Sequence, residues 1–297
     1  MKLSVIIPTY NCASFIEKAI NSIVKNRPND LEIEVLIIDD GSIDNTNKVI
    51  KKIQDQINNL TLQYFYKSNG NWGSVINYVR NNKLAKGEWV TVLDSDDIFS
   101  KKTISIFQKY AQKQRYDAII FDYYKCWKKF LWKIPTYARF RKEIKGELKK
   151  QTPFCIPLAK FFKNEVFYQL PKLRENVGFQ DAIYTMHALQ IANNVFHVSK
   201  AGGYYFFKRV GNSMSIPWHS SRFDIEVQIC KDLIENNAQE IALVHLLRLK
   251  FRNLVDDKKI KFTVKRDFCF SGFSWYSRLI LSLMYNFWLK RYFNSSE

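Results

Sequence analysis

No stretch of about 20 uninterrupted apolar residues occurs in the chain, so no transmembrane helix is expected. The amino terminus opens directly on a strand-like run, which sets the expectation of no signal peptide and a cytoplasmic location. The five cysteines, Cys12, Cys126, Cys155, Cys230 and Cys269, have neither metal-site nor redox spacing and suit a reducing compartment. The four histidines, His187, His197, His219 and His245, lack the paired spacing of metal ligands. There is no G-x-x-x-x-G-K-S/T and no G-x-G-x-x-G, which argues against kinase and P-loop chemistry. No internal repeat or long low-complexity linker divides the 297 residues, a length for one large domain plus an appendage. Acidic side chains are in the minority, 28 against 46 Lys and Arg, giving a formal net charge of +18. A chain this basic seeks a polyanion: nucleic acid, anionic lipid or an anionic glycopolymer.

The scarce acids are not scattered evenly. Asp94-Ser95-Asp96-Asp97 closes the apolar run Trp89-Val90-Thr91-Val92-Leu93, which reads as a buried strand. Carboxylates crowded at a strand end repel one another unless a cation joins them. Hard oxygen ligands suit Mg²⁺ or Mn²⁺, which keep waters and take diphosphate oxygens as well. An acidic turn that caps the following helix is the competing reading. Two more apolar runs end in polar loops: Leu3 to Ile7 before Pro8-Thr9-Tyr10-Asn11, and Ile33 to Ile38 before Asp39-Asp40-Gly41-Ser42. Helical patterns follow over Phe15 to Val24 and Asp44 to Ile57, with Ser14 and Asp44 as N-cap candidates. A strand at Thr61 to Tyr66 and a helix near Ser74 to Leu84 complete the alternation. That alternation predicts an α/β fold with a mostly parallel sheet, and ligands of such sheets bind at the carboxyl ends of the strands.

The segments Pro8-Thr9-Tyr10-Asn11, Asp39-Asp40-Gly41-Ser42, Ala85-Lys86-Gly87-Glu88-Trp89 and Leu93-Asp94-Ser95-Asp96-Asp97 resemble, in order and spacing, the signatures of family 2 glycosyltransferases with the GT-A fold. The match covers roughly the first 110 residues. Gly178-Phe179-Gln180-Asp181 resembles the family's catalytic segment, and Tyr204 to Ser215 a late motif of bacterial members, with Arg209 and Ser213 as diphosphate or acceptor contacts. The resemblance implies sugar transfer from a nucleotide sugar to an acceptor hydroxyl, with inversion at the anomeric carbon. It implies a nucleotide site drawn from Pro8, Thr9, Tyr10, Asn11, Asp39, Asp40, Gly41, Asn69, Trp72, Asn77, Asp94 and Ser95. It places the ribose on Asp94 or Asp96 and Mn²⁺ or Mg²⁺ on Asp96 or Asp97.

Elementary chemistry agrees with the resemblance. A uracil N–H wants a carboxylate acceptor, which Asp39 or Asp40 would supply, while Thr9 and Tyr10 would cover the base and ribose, Tyr10 by stacking. A metal bridging the diphosphate would stabilise charge on the leaving nucleoside diphosphate. Trp72 stands where relatives often carry Lys or Arg. An indole cannot neutralise phosphate, so another basic residue or the metal carries that load. Trp72 would then stack on a sugar or base, or pack as a loop residue onto the sheet. Asp181 is the expected base, at a helix start that would hold its pKa low. Capping of the helix over Ile183 to Ala192 is its alternative role, and Glu175 is the reserve base.

The basic excess collects beyond the acidic cluster. Lys125 to Lys150 interleaves Lys and Arg with Tyr123, Tyr124, Trp127, Phe130, Trp132, Tyr137 and Phe140. That pattern fits a membrane interface or a polyanionic acceptor, single-stranded nucleic acid, or a twisted hairpin with one solvated basic face. From about Trp218 the pattern is helical. Ser274, Arg278, Ser282, Asn286 and Lys290 form a narrow polar stripe on an otherwise apolar final segment. Such a helix would lie in an anionic membrane interface or dock on a second subunit. The expected organisation is a GT-A domain over 1–215, with a nucleotide-sugar half (1–110) and an acceptor-side half (111–215), then a helical region over 216–297. The leading reading is a peripheral enzyme of the inner face of a bacterial membrane. It would use a UDP-sugar and a lipid-linked, wall or surface glycan acceptor. A non-catalytic nucleotide-sugar-binding relative and a nucleic-acid-binding protein are the alternatives; Asp181 speaks against the first, and charge alone suggests the second.

Overall fold

The computed structural model describes residues 1–57, 60–127, 130–134, 143–145, 156–177 and 180–206. In chain order they form β1 (Lys2–Thr9), α1 (Ile16–Val24), β2 (Glu32–Asp39), α2 (Thr46–Gln56), β3 (Thr61–Tyr66), α3 (Asn71–Asn81), β4 (Trp89–Val92), β5 (Ile98–Phe99), α4 (Thr103–Ala111), β6 (Ala118–Trp127), β7 (Phe130–Ile134), β8 (Glu143–Lys145), β9 (Lys160–Lys163), α5 (Asn164–Tyr168), α6 (Gln180–Ile191) and β10 (Asn194–Phe206).

The strands make one sheet in the order β3-β2-β1-β4-β9-β6-β10-β5, with β7 added to β6 and β8 to β10. The first four are parallel. β9 runs antiparallel to both β4 and β6, and β10 is parallel to β6. Two reversals therefore restore the original direction, so β6 and β10 end at the same edge as β1, β2, β3 and β4. This is the mixed sheet with flanking helices expected of a GT-A fold. β1, β2 and β4 are buried almost throughout, as continuous apolar runs in a parallel sheet should be. Around β4, β9 and α4 the core is aromatic. Phe107 of α4 stacks on Phe161 of β9 at 4.2 Å and meets Trp89 of β4 edge-on at 5.4 Å.

The Ala85 to Trp89 motif proves to be an anchor at the opposite edge of the sheet. The buried Glu34 carboxylate accepts from Ser4 Oγ (2.5 Å), the Lys86 amide (2.6 Å) and the Gly87 amide (3.2 Å). A Cβ on Gly87 would sit 2.6 Å from the Ser4 nitrogen, so only glycine allows that approach.

Two helix starts differ from expectation. α1 begins at Ile16 without a side-chain cap; the carbonyl of Cys12, not Ser14, receives the Phe15 and Ile16 amides. α3 begins at Asn71, a turn before the expected Ser74, with Asn71 in left-handed backbone at φ 64°. Trp72 is thus a helix residue rather than a loop residue. Asp44 serves α2 from two positions before its start, accepting the Thr46 amide with one oxygen and the Ala13 amide with the other. The basic and aromatic segment opens as the twisted hairpin β6–β7. Lys133 there donates to the Ser199 carbonyl at 2.5 Å and pairs with Asp122 at 3.3 Å, so part of the charge is spent inside the fold. Farther along that segment Glu143–Lys145 forms β8 against β10; its other residues, Arg209, Ser213 and the region from 216 onward lie outside the described residues. Among the described residues no helix is long and apolar enough to cross a membrane.

Candidate active site

The strand register sets the site. Thr9 pairs with Asp39 and Asp39 with Tyr66, while Ile6 pairs with Val92, so the ends of β1, β2, β3 and β4 stand side by side. The first two loops are stitched together. The Asn11 amide donates to Ser42 Oγ and the Ile43 amide to Asn11 Oδ1, both at 2.9 Å. Gly41 turns the second loop with φ +82°, a conformation that favours glycine. Pro8 and Thr9 are buried, and the Thr9 hydroxyl donates to the Ile7 carbonyl. Tyr10 and Tyr66, 52% and 60% exposed, present aromatic surface at this edge.

The expected uracil acceptors are already engaged. Asp39 accepts the Ser42 amide on Oδ1 (2.8 Å) and the Tyr64 hydroxyl on Oδ2 (2.7 Å). Asp40 Oδ1 receives Lys67 Nζ (2.6 Å), the Gly70 amide (3.0 Å) and Ser74 Oγ (3.3 Å). Asn69 donates to the Asp40 carbonyl at 2.9 Å. Both carboxylates are buried. Lys67, the basic residue in this loop, is therefore held by Asp40 instead of standing ready for a phosphate.

The acidic cluster is arranged differently. The Asp97 amide closes a turn on the Asp94 carbonyl at 3.0 Å. Asp97 is buried and its Oδ1 accepts the Phe206 amide at 3.0 Å, tying this turn to the end of β10. Asp94 and Asp96 are half-buried. Asp94 Oδ1 accepts the Trp72 indole N–H at 2.8 Å. Burial, then repulsion from Asp181 and Asp96, pushes the Asp94 pKa up to about 7 against the pull of that N–H. Ser95 donates toward the Cys12 thiol, whose pKa burial raises to about 11. Tyr205 belongs to the same neighbourhood: burial, then the charges of Asp97, Asp181, Asp96 and Asp94, raise its pKa.

Asp181 arrives from a distant part of the chain, on α6, after a loop that α3 holds. Asn77, expected at the nucleotide, is buried and spent on that loop instead. Its Nδ2 donates to the Leu173 carbonyl and to Glu175 Oε1, both at 2.8 Å, and its Oδ1 accepts the Leu173 amide at 3.0 Å. Glu175, the reserve base, is thereby pinned to α3. Arg80 donates to the carbonyls of Pro171 and Leu170. At Gly73 a Cβ would lie 2.2 Å from the Arg174 carbonyl oxygen, so only glycine lets this loop settle on α3. Asp181 then stands in the first turn of α6. Its pKa is raised, not lowered as expected. Burial of the carboxylate outweighs the amides of Asp181 and Ala182 at the helix start, and a raised pKa makes a stronger base.

Sequence reasoning missed Tyr64, Lys67, Ser74, Tyr184 and Tyr205. Tyr64 was within reach, since the parallel register puts β3 beside the end of β2. The others depend on packing between segments far apart in sequence. Among the described residues no three His, Cys, Asp or Glu side chains form a complete metal-ligand set. Asp94 and Asp96, half-buried and repelling, nonetheless fit an ion that takes one or two carboxylates and completes its shell with diphosphate and water.

Residues 4–170 match the family model described as glycosyl transferase family 2. The Mycoplasma pneumoniae protein described as an uncharacterized glycosyltransferase, MG060 homolog, is 58% identical over 99% of this chain and 98% of its own length. TarS of Staphylococcus aureus, a poly(ribitol-phosphate) beta-N-acetylglucosaminyltransferase, is 25% identical over 92% of this chain and 46% of its own. A crystal structure of its residues 1–349 in complex with UDP-GlcNAc superposes with a TM-score of 0.64 at 24% identity, covering 88% of this chain and 76% of that one. The mannosyltransferase PcManGT of Pyrobaculum calidifontis, in complex with GDP-Man and Mn²⁺, shares the fold at a TM-score of 0.51 and 16% identity, over 84% of this chain and 75% of that one.

Proposed function

The chain belongs to glycosyl transferase family 2, and from that premise we propose that it moves a sugar from a UDP-sugar to the hydroxyl of a glycan acceptor, inverting the anomeric carbon. The observation that carries this reading is the acidic turn beyond β4, where the Trp72 indole N–H holds Asp94 and the Phe206 amide holds Asp97; burial first, then the charges of Asp181 and Asp96, raises the Asp94 pKa. UDP is favoured because the TarS structure holds UDP-GlcNAc.

In this reading Asp94 and Asp96, rather than the expected Asp96 and Asp97, would hold Mn²⁺ or Mg²⁺ together with the diphosphate. Asp97, tied to Phe206, keeps the turn in place. The ion, when bound, offsets charge on the leaving diphosphate. Tyr10 covers the base, and of the two buried acids Asp39 is the one we place at uracil, since Asp40 is committed to Lys67 and the Gly70 amide. Asp181 accepts the proton of the acceptor hydroxyl as its oxygen bonds to the anomeric carbon. The bond from that carbon to the diphosphate oxygen breaks, and its electron pair leaves with UDP. Burial raises the basicity of Asp181 for this step.

The acceptor we propose is an anionic or lipid-linked glycan at the inner face of the membrane. The net charge of +18 supports it, as does the polyanion named for TarS. The region over 216–297 is then the membrane-associating or oligomerising element.

Screening UDP-sugars for slow, metal-dependent hydrolysis identifies the donor. With that donor, Asp181→Asn should bind UDP as the parent does and lose roughly 10²-fold or more in transfer. Transfer at the parental rate would place the base elsewhere, and a clear preference for GDP would remove the UDP assignment.

A further inference from the structure

Trp72 makes two contacts that lead in different directions. Its indole N–H holds Asp94 Oδ1 at 2.8 Å. Its ring meets the ring of Tyr184 edge-on, with centroids 5.4 Å apart and planes at 65°. Tyr184 lies three residues after Asp181 on α6. It is fully buried, and among the described residues its hydroxyl has no hydrogen-bond partner. Its ring packs against Phe162 of β9 at 6.1 Å, Phe167 of α5 at 6.4 Å and Trp72 at the shortest distance of the three. At its other end α3 grips the loop that leads into α6, through Asn77 and Arg80.

We propose that Trp72 is a positioning residue that ties the donor-side carboxylate Asp94 to the helix bearing Asp181, with its N–H setting the first and its ring the second. The proposal rests on the UDP-sugar reading of the site. The N–H occupies Oδ1 of Asp94 and so fixes the carboxylate rotamer, leaving Oδ2 for the donor. The ring seats Tyr184, and with it the first turn of α6. A Lys or Arg at this position would offer charge to a phosphate but would lose the flat ring. Trp72 thus need not stack on base or sugar to matter for both substrates.

The two halves of the proposal separate in two variants of the full chain. Trp72→Phe keeps a ring for Tyr184 and removes the N–H. Calorimetry with UDP and Mn²⁺ should show roughly tenfold weaker binding, as expected when a hydrogen bond to a charged group is lost. The donor KM should rise in parallel while kcat stays within about threefold. Trp72→Leu removes the ring as well and should lower kcat by a further tenfold or so, because small displacements of a catalytic group are costly. A purely structural Trp72 would give no such split, since both variants would lose active protein at unchanged KM. UDP binding by Trp72→Phe equal to the parent, or equal kcat for the two variants, would overturn the proposal. A parent that fails to bind UDP sinks the functional reading and this inference with it. A parent that binds UDP beside an unchanged Trp72→Phe sinks the inference alone.

Discussion

Two acidic pairs stand at the same sheet edge, and they are built in opposite ways. Asp39 and Asp40 at the end of β2 are buried and saturated. Two donors hold the first, and an ammonium, an amide and a hydroxyl hold the second. Asp94 and Asp96 beyond β4 are half-buried and strained by charge; one indole N–H holds Asp94 while Asp181 and Asp96 repel it. Residue type is the same, and so is the place in the fold. The difference lies in where the compensation comes from. The first pair is compensated by the chain before any ligand arrives: Asp40 acts as scaffold, and Asp39 is set in place to meet a base. In the second, burial and the charges of Asp181 and Asp96 disfavour the Asp94 carboxylate, a cost that a cation and a diphosphate would offset.

The largest effect should come from removing what the second pair waits for. Excess EDTA, or Asp96→Ala, should lower turnover by about three orders of magnitude or more if these carboxylates organise the ion. Thermal stability without ligand should change far less than turnover does. Full activity in EDTA would erase the contrast between the pairs. Asp97→Ala offers a control of another kind. It should destabilise the fold by about 1–3 kcal/mol through loss of a buried acceptor for the Phe206 amide, and thermal melting would show it.

The first pair should respond in the other currency. Asp40→Ala removes the partner of Lys67 and of the Gly70 amide together. Breaking a buried ion pair from one side costs about 3 kcal/mol or more, so urea unfolding should show a large drop in midpoint. UDP affinity, measured on the fraction that remains folded, should change far less. If Asp40→Ala melts like the parent but no longer binds UDP, the assignment of scaffold and site must be exchanged.

Much of this contrast was beyond reach of the sequence. β1, β2 and β4 announce themselves as apolar runs ending in polar tetrapeptides, and the mostly parallel sheet follows from their alternation with helices. The acidic cluster stands out as a candidate because it follows a clear strand, and Asp181 because it opens a helical pattern. What failed were contacts that tertiary packing decides. Asn77 lies 96 residues from Leu173, and nothing local says that its amide grips that backbone. Trp72 precedes the helix expected from Ser74, whereas Asn71 takes positive φ and opens α3 a turn earlier. The Asp181 pKa was misjudged because a helix start is visible in sequence and burial is not. The saturation of Asp39 and Asp40 required the side chains of Tyr64 and Lys67, which arrive from the neighbouring strand and its loop.

The smallest expected effect is also the finest test of the comparison. Tyr64 donates to Asp39 Oδ2 at 2.7 Å, and burial together with this carboxylate raises the Tyr64 pKa. Tyr64→Phe keeps the ring on the sheet and deletes one hydrogen bond. The cost should be about 1 kcal/mol of stability, the usual net worth of such a bond. UDP binding should stay within about threefold of the parent, because the Ser42 amide still holds Oδ1 and Oδ2 keeps its lone pairs for a base N–H. Asp39→Ala should weaken UDP more, by on the order of 1–3 kcal/mol, since the acceptor itself is gone. Equal losses from the two variants would mean that the Tyr64 hydroxyl, not the carboxylate, meets the base. Tighter UDP binding by Tyr64→Phe would mean that Tyr64 competes with the base for Asp39, and that even the saturated pair holds a place its ligand must win.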